Sequence, residues 1–170
     1  LRSPEAIAQA RLDKLKQYEI TNKNIEEELD NLVRLASTIC ETPISLINLL
    51  GANTQFTKAR RGWDITNLPR DKSFCHYTIK DDDVMVVENA LEDERFADSP
   101  FVQKDPHIRF YAGVPLTTSD GYNIGAICVI DREPRTLTQQ QKDSLSMISK
   151  EVISRLELIK KKRAEQESQP

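Results

Sequence analysis

The sequence is poor in the residues that metal sites and disulfide frameworks require. It contains two histidines and three cysteines in 170 residues, with no CxxC or HExxH pattern. A metal site is therefore not expected, because such sites need clustered Cys, His or carboxylate ligands. The cysteines, Cys40, Cys75 and Cys128, lie far apart and are odd in number, which predicts a reduced, cytoplasmic protein.

Long apolar runs and phosphate-binding glycine motifs are also absent from the sequence. No uninterrupted apolar stretch approaches the roughly 20 residues of a membrane-spanning helix, so no membrane segment is expected. The glycine patterns that mark nucleotide hydrolases and lipase-type enzymes do not occur, and those activities are unsupported. We expect the chain to be a segment of a longer protein, because it begins without Met and ends in a polar stretch.

An excess of one charge is lacking as well. The chain has 24 Lys and Arg against 27 Asp and Glu, a net charge of −3. Without a broad basic field, nucleic acid and anionic membranes are not expected as partners, and the basic run 160–163 is interpreted as a solvated helix end. The hydrophobic share of 38% and the charged share of 30% predict that part of the chain forms long, solvated helices.

Capping residues and apolar periodicity predict three helices and five strands. Hydroxyl or amide N-caps at Ser3, Asn24 and Thr138 mark the helix starts, and Pro43 ends the second helix. The strands are short apolar or alternating runs, at 44–50, 54–59, 84–87, 109–116 and 124–130. These elements predict a mostly antiparallel sheet covered by helices.

The remaining pieces are irregular and rich in aromatic residues. Residues 60–72 are interpreted as a loop beside a pocket, 73–79 as a short helix and 89–106 as short helical turns. Most aromatic residues fall in these pieces or at the adjoining strand: Trp63, Phe74, Tyr77, Phe96, Phe101, Phe110 and Tyr111. Aromatic walls are typical of pockets for planar ligands, which favours a small-molecule site, although ordinary core packing is the alternative for each ring.

The start of the short helix suggests a site for an anion. With Ser73 as its N-cap, the free N–H groups of residues 74–76 would face a bound phosphate. Arg109 and Arg95 are further candidate contacts. For Arg95, an ion pair with a neighbouring aspartate is an equally good interpretation, because Asp93 lies two residues away.

Cys75 and His76 raise the question of a reactive thiol. They could form a nucleophile with its base, or Cys75 could anchor a pigment. Neighbouring residues on a helix point about 100° apart, so His76 is badly placed to take the Cys75 proton. A small buried side chain that lines a cavity is the preferred interpretation of Cys75, and Cys40 and Cys128 fit core positions of a helix and a strand.

Four segments carry a recognisable pattern: Pro69-Arg-Asp-Lys-Ser-Phe-Cys75, Asp93-Glu-Arg-Phe-Ala-Asp-Ser-Pro100, Ile108-Arg-Phe-Tyr-Ala-Gly-Val-Pro-Leu116 and Gly125-Ala-Ile-Cys-Val-Ile-Asp131. In their order and spacing they resemble a GAF domain of the bacterial sensory subgroup, over about residues 15 to 160. The resemblance implies an α+β fold with a central antiparallel sheet of five or six strands. It also implies N- and C-terminal helices on one face of the sheet and short pocket helices on the other.

The resemblance further implies a division of the chain and a set of partners. Residues 1–22 are expected to form an N-terminal signalling helix, 23–160 the GAF domain, and 161–170 the start of a linker to an output domain. Relatives of this kind often pair as homodimers through their terminal helices and regulate an attached enzyme such as a diguanylate cyclase. We therefore expect a regulatory domain without catalysis of its own.

GAF domains bind cyclic nucleotides, tetrapyrroles, haem and other small molecules, so no single cofactor is implied. cAMP is the first candidate ligand and cGMP the second, although the chain has Asn89 and Asp93-Glu-Arg-Phe96 in place of the Asn-Lys-Phe-Asp-Glu pattern of many cyclic-nucleotide relatives. The candidate ligand contacts are Trp63, Ser73, Phe74, Cys75, His76, Phe96, Phe101, Arg109, Tyr111 and Cys128. A ligand-independent dimerisation module and a thiol-dependent methionine sulfoxide reductase are the alternatives.

Overall fold

A six-stranded antiparallel sheet forms the centre of the molecule. A computed structural model describes residues 3–18 and 24–168, with only the backbone for 24–26. The strands are β1 (Ile44–Leu50), β2 (Thr54–Arg61), β3 (Asn67–Pro69), β4 (Met85–Val87), β5 (Phe110–Thr117) and β6 (Asn123–Asp131). Their order across the sheet is β3-β2-β1-β6-β5-β4. The expected α+β fold with five or six antiparallel strands is confirmed.

The described part of the chain has five α-helices around the sheet: α1 (Pro4–Lys16), α2 (Asn24–Cys40), α3 (Cys75–Thr78), α4 (Pro100–Gln103) and α5 (Gln139–Glu167). The Ser3 hydroxyl caps α1, and Thr138 with Gln141 forms a capping box at the start of α5, as predicted. The predicted side-chain cap at Asn24 lies outside the described residues. Among the helices that the structure describes, none is long and apolar enough to cross a membrane.

The sheet separates two hydrophobic cores. On one face, α2 and α5 pack against alternate residues of β5, among them Phe110, Val114 and Leu116. On the other face, the short pieces around α3 and α4 cover Leu46 of β1 and Tyr111 of β5. The long helices and the short pocket helices therefore lie on opposite faces, as the alternation of side chains along β5 requires.

The segment 60–72 is more ordered than the predicted loop. β2 extends to Arg61, residues 67–69 form β3, and residues 70–72 form a turn of 3₁₀-helix. Leu68 is buried and pairs with Gln55 across the β2–β3 ladder. A strand of three residues that ends in proline is too short to show a period-two pattern, so the prediction of a loop was wrong here.

The N-terminal helix α1 has no fully buried residue, and beside the packing of Leu15 against the core it is attached to the domain by polar contacts. The Arg11 guanidinium donates to the carbonyl oxygens of Gly51, at 3.2 Å, and Asn123, at 3.4 Å. Lys14 pairs with Asp120 at 2.9 Å. These three acceptors lie in or beside the β1–β2 and β5–β6 turns, so α1 rests on the turns at one end of the sheet.

Candidate functional site

A cluster of buried polar side chains lies beneath the short helices. Alternation along β1 turns Asn48 towards the pocket face, together with the apolar neighbours Leu46 and Leu50. The members of the cluster come from β1, β2, β5 and the region of α3: Asn48, Gln55, Thr57, Ser73, Thr78 and Tyr111. Buried polar groups need partners, and most of those in this cluster find them within it.

Asn48 is the centre of this cluster. Its Nδ2 atom donates to Cys75 Sγ at 3.3 Å and lies 3.9 Å from Cys128 Sγ. Its Oδ1 atom accepts a hydrogen bond of 2.8 Å from the Thr57 hydroxyl. One amide thus connects β1, β2, β6 and α3. The signal in the sequence was an amide in the largely apolar run 44–50, where Ser45 is the other polar residue.

Tyr111 provides a second set of contacts. Its hydroxyl lies 3.2 Å from Cys75 Sγ and 2.7 Å from the Thr78 hydroxyl, so it reaches both ends of α3. The ring passes over Gly113 on the same strand, where an added Cβ would fall 2.3 Å from the tyrosine oxygen. Gly113 therefore makes room for the side chain that holds α3.

The surroundings of the two buried thiols differ in their effect on ionisation. Hydrogen bonds involving Cys128, Tyr111, Asn48 and Ser73 lower the pKa of Cys75 against the opposing effect of burial. The interaction with Cys75, together with burial, raises the pKa of Cys128. Burial is also the main cause that raises the pKa of Tyr111. Within this cluster, Cys75 is therefore the group that ionises first.

Aromatic rings close the space above the polar cluster. The rings of Phe74 and Phe96 are stacked, with centroids 3.9 Å apart and planes within 5° of parallel. Phe74 also contacts Tyr111, and Trp63 meets Phe101 edge to face at 5.5 Å. The structure thus places these five predicted site residues in two sets of ring contacts. The rings pack against each other and leave little space for a ligand between them.

The cavity that remains beneath the rings has a volume of about 20 Å³. Its lining includes both thiols and the side chains of Trp63, Phe74 and Tyr111. This volume is the scale of one water molecule. A ligand of nucleotide size can enter only if the stacked rings move apart.

A second, polar cleft of about 180 Å³ lies outside the stacked rings. Phe96 belongs to both places, because it stacks on Phe74 and also lines this cleft. Arg95 lines the cleft as well, with its guanidinium 4.9 Å from the Phe96 ring centroid. Its Nη2 pairs with Asp93 at 2.8 Å, so the alternative interpretation of Arg95 as an ion-pair partner is correct.

Ser73 does not cap α3, and the prediction that it does was wrong. Phe74 occupies the N-cap position without a side-chain hydrogen bond. The Ser73 hydroxyl instead donates to Gln55 Oε1 on β2. The helix has four residues, which is too short for an appreciable dipole at its N-terminus. The buried acceptor on β2 is a tertiary partner that no local pattern reveals.

His76 and Arg109 lie at the margin of the site. His76 points away from the cavity, and its Nδ1 accepts a 3.0 Å hydrogen bond from Arg70 Nε. Burial, followed by the charges of Lys80 and Arg70, lowers the pKa of His76. Arg109 donates to the carbonyl oxygens of Val102, at 2.8 Å, and its own neighbour Ile108, so it holds the end of α4.

The site combines polar, aromatic and charged groups. Among residues 3–18 and 24–168, no group of three or more His, Cys, Asp or Glu could hold a metal ion. The cluster offers amide and hydroxyl groups below, aromatic faces above and charged groups in the outer cleft. Such a combination is typical of sites that bind planar, polar molecules.

The sequence matches known proteins over most of its length. The family model of the GAF domain matches residues 24–156. A cyclic di-GMP phosphodiesterase of Pseudomonas aeruginosa is 39% identical over 145 residues, which cover 85% of this chain and 25% of that protein. The chain therefore spans about a quarter of the length of this relative.

Solved structures share the fold at low sequence identity. The GAF domain of an Acinetobacter phosphoenolpyruvate-protein phosphotransferase has a TM-score of 0.65 and 15% identity, with 88% of this chain and 92% of that chain covered. A domain of a putative sensor histidine kinase from Sinorhizobium meliloti scores 0.66 at 15% identity, covering 85% and 99%. The free methionine-R-sulfoxide reductase of Neisseria meningitidis scores 0.65 at 15%, covering 96% and 95%. The matched sequence and the shared fold together show that the chain belongs to the GAF domain family.

Proposed function

We propose that this chain is a non-catalytic sensory domain that binds a small molecule under α3 and α4. The buried polar cluster around Asn48 carries the proposal. A domain of this size has no structural need for an amide, several hydroxyl groups and two thiols in one core, because burying polar groups gains little stability even when they are paired. Recognition of a ligand by these groups would account for their presence in the core.

A cyclic nucleotide fits the arrangement, with cAMP first and cGMP second. The purine would take the place of the Phe74 ring on Phe96, with the amides of Asn48 and Gln55 available for its edge. The outer cleft contains Lys72 and Arg95 together with Asp71 and Asp98, and the two cations would contact the phosphate. Separating one stacked aromatic pair costs only about 0.5–1.5 kcal/mol beyond the loss of buried area, so ligand binding can drive the opening.

The first part of a signalling route starts at the N-terminal end of α3. Arg70 donates from Nε to His76 on α3 and from Nη1 to the Gly51 carbonyl oxygen, each at 3.0 Å. That same oxygen accepts from Arg11 on α1. A displacement of α3 therefore reaches the N-terminal helix through one shared acceptor.

The C-terminal end of α3 leads to the same arginine. Asn123 Nδ2 donates to the Ile79 carbonyl oxygen and to an Asp82 carboxylate oxygen, both at 3.1 Å. The backbone oxygen of Asn123 accepts from Arg11. Because both ends of α3 connect to Arg11, an opening of the pocket changes the support of α1. A ligand shifts this equilibrium only by binding the open and closed arrangements differently.

The terminal helices supply the surface for a homodimer and the connection to an output domain. Large apolar side chains on α1, α2 and α5 are exposed: Ile7, Leu35, Met147 and Leu158. If these side chains form one continuous surface, they would favour pairing with a second copy. The name of the 39% identical relative, a cyclic di-GMP phosphodiesterase, favours an output domain that degrades cyclic di-GMP. A diguanylate cyclase, the output expected from the sequence, is the alternative.

Calorimetric titration of the purified domain tests the proposal, with cAMP, cGMP and cyclic dinucleotides as separate ligands. We expect heat and a raised melting temperature with cAMP, and at least a tenfold weaker affinity in Asn48→Ala. Asn31→Ala, at an exposed position on α2, is the matched control and should bind as the wild type does. No heat with any of these ligands would remove the cyclic-nucleotide proposal.

A ligand-independent dimerisation module is the second candidate, and the small volume of the cavity favours it. In that case sedimentation shows a dimer whose association constant is the same with and without each nucleotide. Removing residues 1–20 and 158–170 should then abolish the dimer. A dimer that persists after both truncations would contradict pairing through these helices.

A further inference from the structure

Cys75 and Cys128 are brought to one place from different elements of the pocket. Cys75 begins α3, and Cys128 lies in the middle of β6. Both sulfur atoms lie against the same Asn48 amide nitrogen, at 3.3 and 3.9 Å, and both line the 20 Å³ cavity. The third cysteine, Cys40, belongs to the core on the opposite face of the sheet. The sheet thus separates one pair of thiols from one isolated thiol.

We propose that Cys75 and Cys128 form an oxidation site that responds to hydrogen peroxide by closing into an intramolecular disulfide. The proposal concerns the thiols alone and does not depend on a bound nucleotide. Three features carry it. The two sulfurs lie against one amide nitrogen, and one of them has hydrogen-bond partners that favour its thiolate. Both residues also line a cavity of about 20 Å³, which is of the order of a small oxidant.

Cys75 is the sulfur that attacks the peroxide. The Asn48 amide donates to it, and the Tyr111 hydroxyl lies within 3.2 Å. Donors at this distance stabilise a thiolate, and the thiolate is the nucleophilic form of cysteine. Cys128 is the nearby thiol available for the second, resolving role, because its sulfur lies 3.9 Å from the same Asn48 amide nitrogen.

The oxidation proceeds in two steps, formation of a sulfenic acid on Cys75 and then formation of the disulfide. The Cys75 thiolate attacks one oxygen of hydrogen peroxide, the O–O bond breaks, and the leaving hydroxide takes up a proton to become water. The Cys128 sulfur then attacks the sulfenic acid on Cys75, an S–S bond forms and the S–O bond breaks. The departing oxygen leaves as water with the Cys128 proton. Two electrons pass from the two thiols to one peroxide.

The structure also indicates what the bond would change. A disulfide requires the sulfurs to approach to about 2.05 Å, so the side chain of Cys75 must turn towards β6. α3 has four residues and is held to the sheet largely by side-chain hydrogen bonds, while β6 is paired on both sides. The helix is therefore the part that moves. The disulfide would fix α3 against the centre of the sheet and keep the stacked rings above it closed.

The test is peroxide treatment of the wild-type domain, followed by thiol counting after denaturation and by peptide mapping. We expect a loss of two of the three thiols and a mass lower by two hydrogens. The cross-linked peptide should contain Cys75 and Cys128, and dithiothreitol should restore both thiols. Loss of a thiol at Cys40 at the same rate, or retention of all three thiols, would overturn the proposal.

Single variants identify the roles of the two sulfurs. In Cys128→Ser, dimedone should trap a sulfenic acid on Cys75, because the resolving thiol is gone. In Cys75→Ser, dimedone labelling of Cys128 should be at least tenfold weaker than the labelling of Cys75 in Cys128→Ser. Equal dimedone labelling of Cys75 in Cys128→Ser and in the wild type would contradict the pairing. The mapping of the wild-type protein decides the proposal if either variant fails to fold.

Discussion

Tyr18 and Glu157 join the two ends of the domain, because the phenol donates a hydrogen bond to a carboxylate oxygen of α5. Tyr18 follows α1 and is 2% exposed, and the Lys160 ammonium lies 4.8 Å from its ring centroid. Burial, with the contribution of Glu157, raises the pKa of Tyr18. The segment that leads into the domain and the helix that leaves it therefore share one buried anchor.

Removing the phenol oxygen of this anchor should weaken the connection and leave the core intact. We expect Tyr18→Phe to lower the free energy of unfolding by about 1.5–3 kcal/mol, since hydrogen bonds to charged groups contribute roughly that amount. Urea denaturation followed by circular dichroism measures the change. Tyr122→Phe is the matched control, because no described hydrogen bond uses the Tyr122 hydroxyl. Equal losses in the two variants would contradict a special role for Tyr18.

The space that Gly113 leaves for Tyr111 should be sensitive to a single methyl group. An added Cβ at Gly113 falls within 2.3 to 2.9 Å of the phenol group, and the buried ring has no free side to which it can retreat. We expect Gly113→Ala to destabilise the fold by about 1–3 kcal/mol, as overpacked cores do. Thermal denaturation is the measurement.

Gly51→Ala serves as the comparison. A Cβ added at Gly51 would lie 3.1 Å from the ring of Phe56, which is exposed and can move aside. Its effect should be smaller than that of Gly113→Ala. A larger loss in Gly51→Ala would show that the Tyr111 position is not the constrained one.

Stability should fall as the pH rises above the ordinary range of cysteine ionisation. Burial raises the pKa of Cys40 to about 11, so the folded state holds this proton after the unfolded state has released it. The stabilising effect is complete below the unfolded pKa and disappears as pH rises through the folded pKa. Between pH 7 and 9.5 we expect Cys40 to account for a loss of about 1 kcal/mol.

Urea titrations of the wild type and of Cys40→Ala at both pH values measure this contribution. The loss of unfolding free energy between the two pH values should be smaller in Cys40→Ala, because that variant lacks the thiol whose pKa is raised by burial. An identical dependence on pH in the two proteins would refute the assignment to Cys40.

The polar support of α1 should depend on one arginine. Arg11→Ala removes both hydrogen bonds to the turn carbonyls, so backbone amides of Pro4–Lys16 should exchange with deuterium faster, while those of β1 and β6 stay protected. Mass spectrometry of peptic fragments measures the exchange. Arg34→Ala, at an exposed position on α2, should leave α1 unchanged. Unaltered exchange in Arg11→Ala would contradict the proposed signalling route.

Local sequence patterns were sufficient for the long elements. The apolar alternation of 109–116 predicted the strand that became β5, and the caps at Ser3 and Thr138 predicted two helix starts. These signals depend on neighbours within a few residues. They can be read from the sequence because hydrophobic periodicity and helix capping depend on residues that are close together in the chain.

The site was less predictable because its contacts join distant residues. Of the aromatic residues expected around a pocket, Trp63, Phe74 and Tyr111 line the small cavity, whereas Phe110 lies in the core on the opposite face of the sheet. The close stacking of Phe74 on Phe96 depends on how two irregular segments pack. Ser73 was assigned to a helix cap, whereas its partner Gln55 lies 18 residues away on β2. Asn48 could have been noticed as a polar residue in an apolar strand, but its partners could not.

The strand order also determines where the domain is stiff. The floor of the pocket is made of β1, β6 and β5, which lie next to one another and are each hydrogen-bonded on both edges. Bending this floor would break several ladders of backbone hydrogen bonds, whereas tilting the cover disturbs a few side-chain contacts. The sheet is therefore the stiff part of the domain and the short helices above it are the part that can move. A movement of these helices is transmitted to the turns at the end of the sheet rather than through the strands.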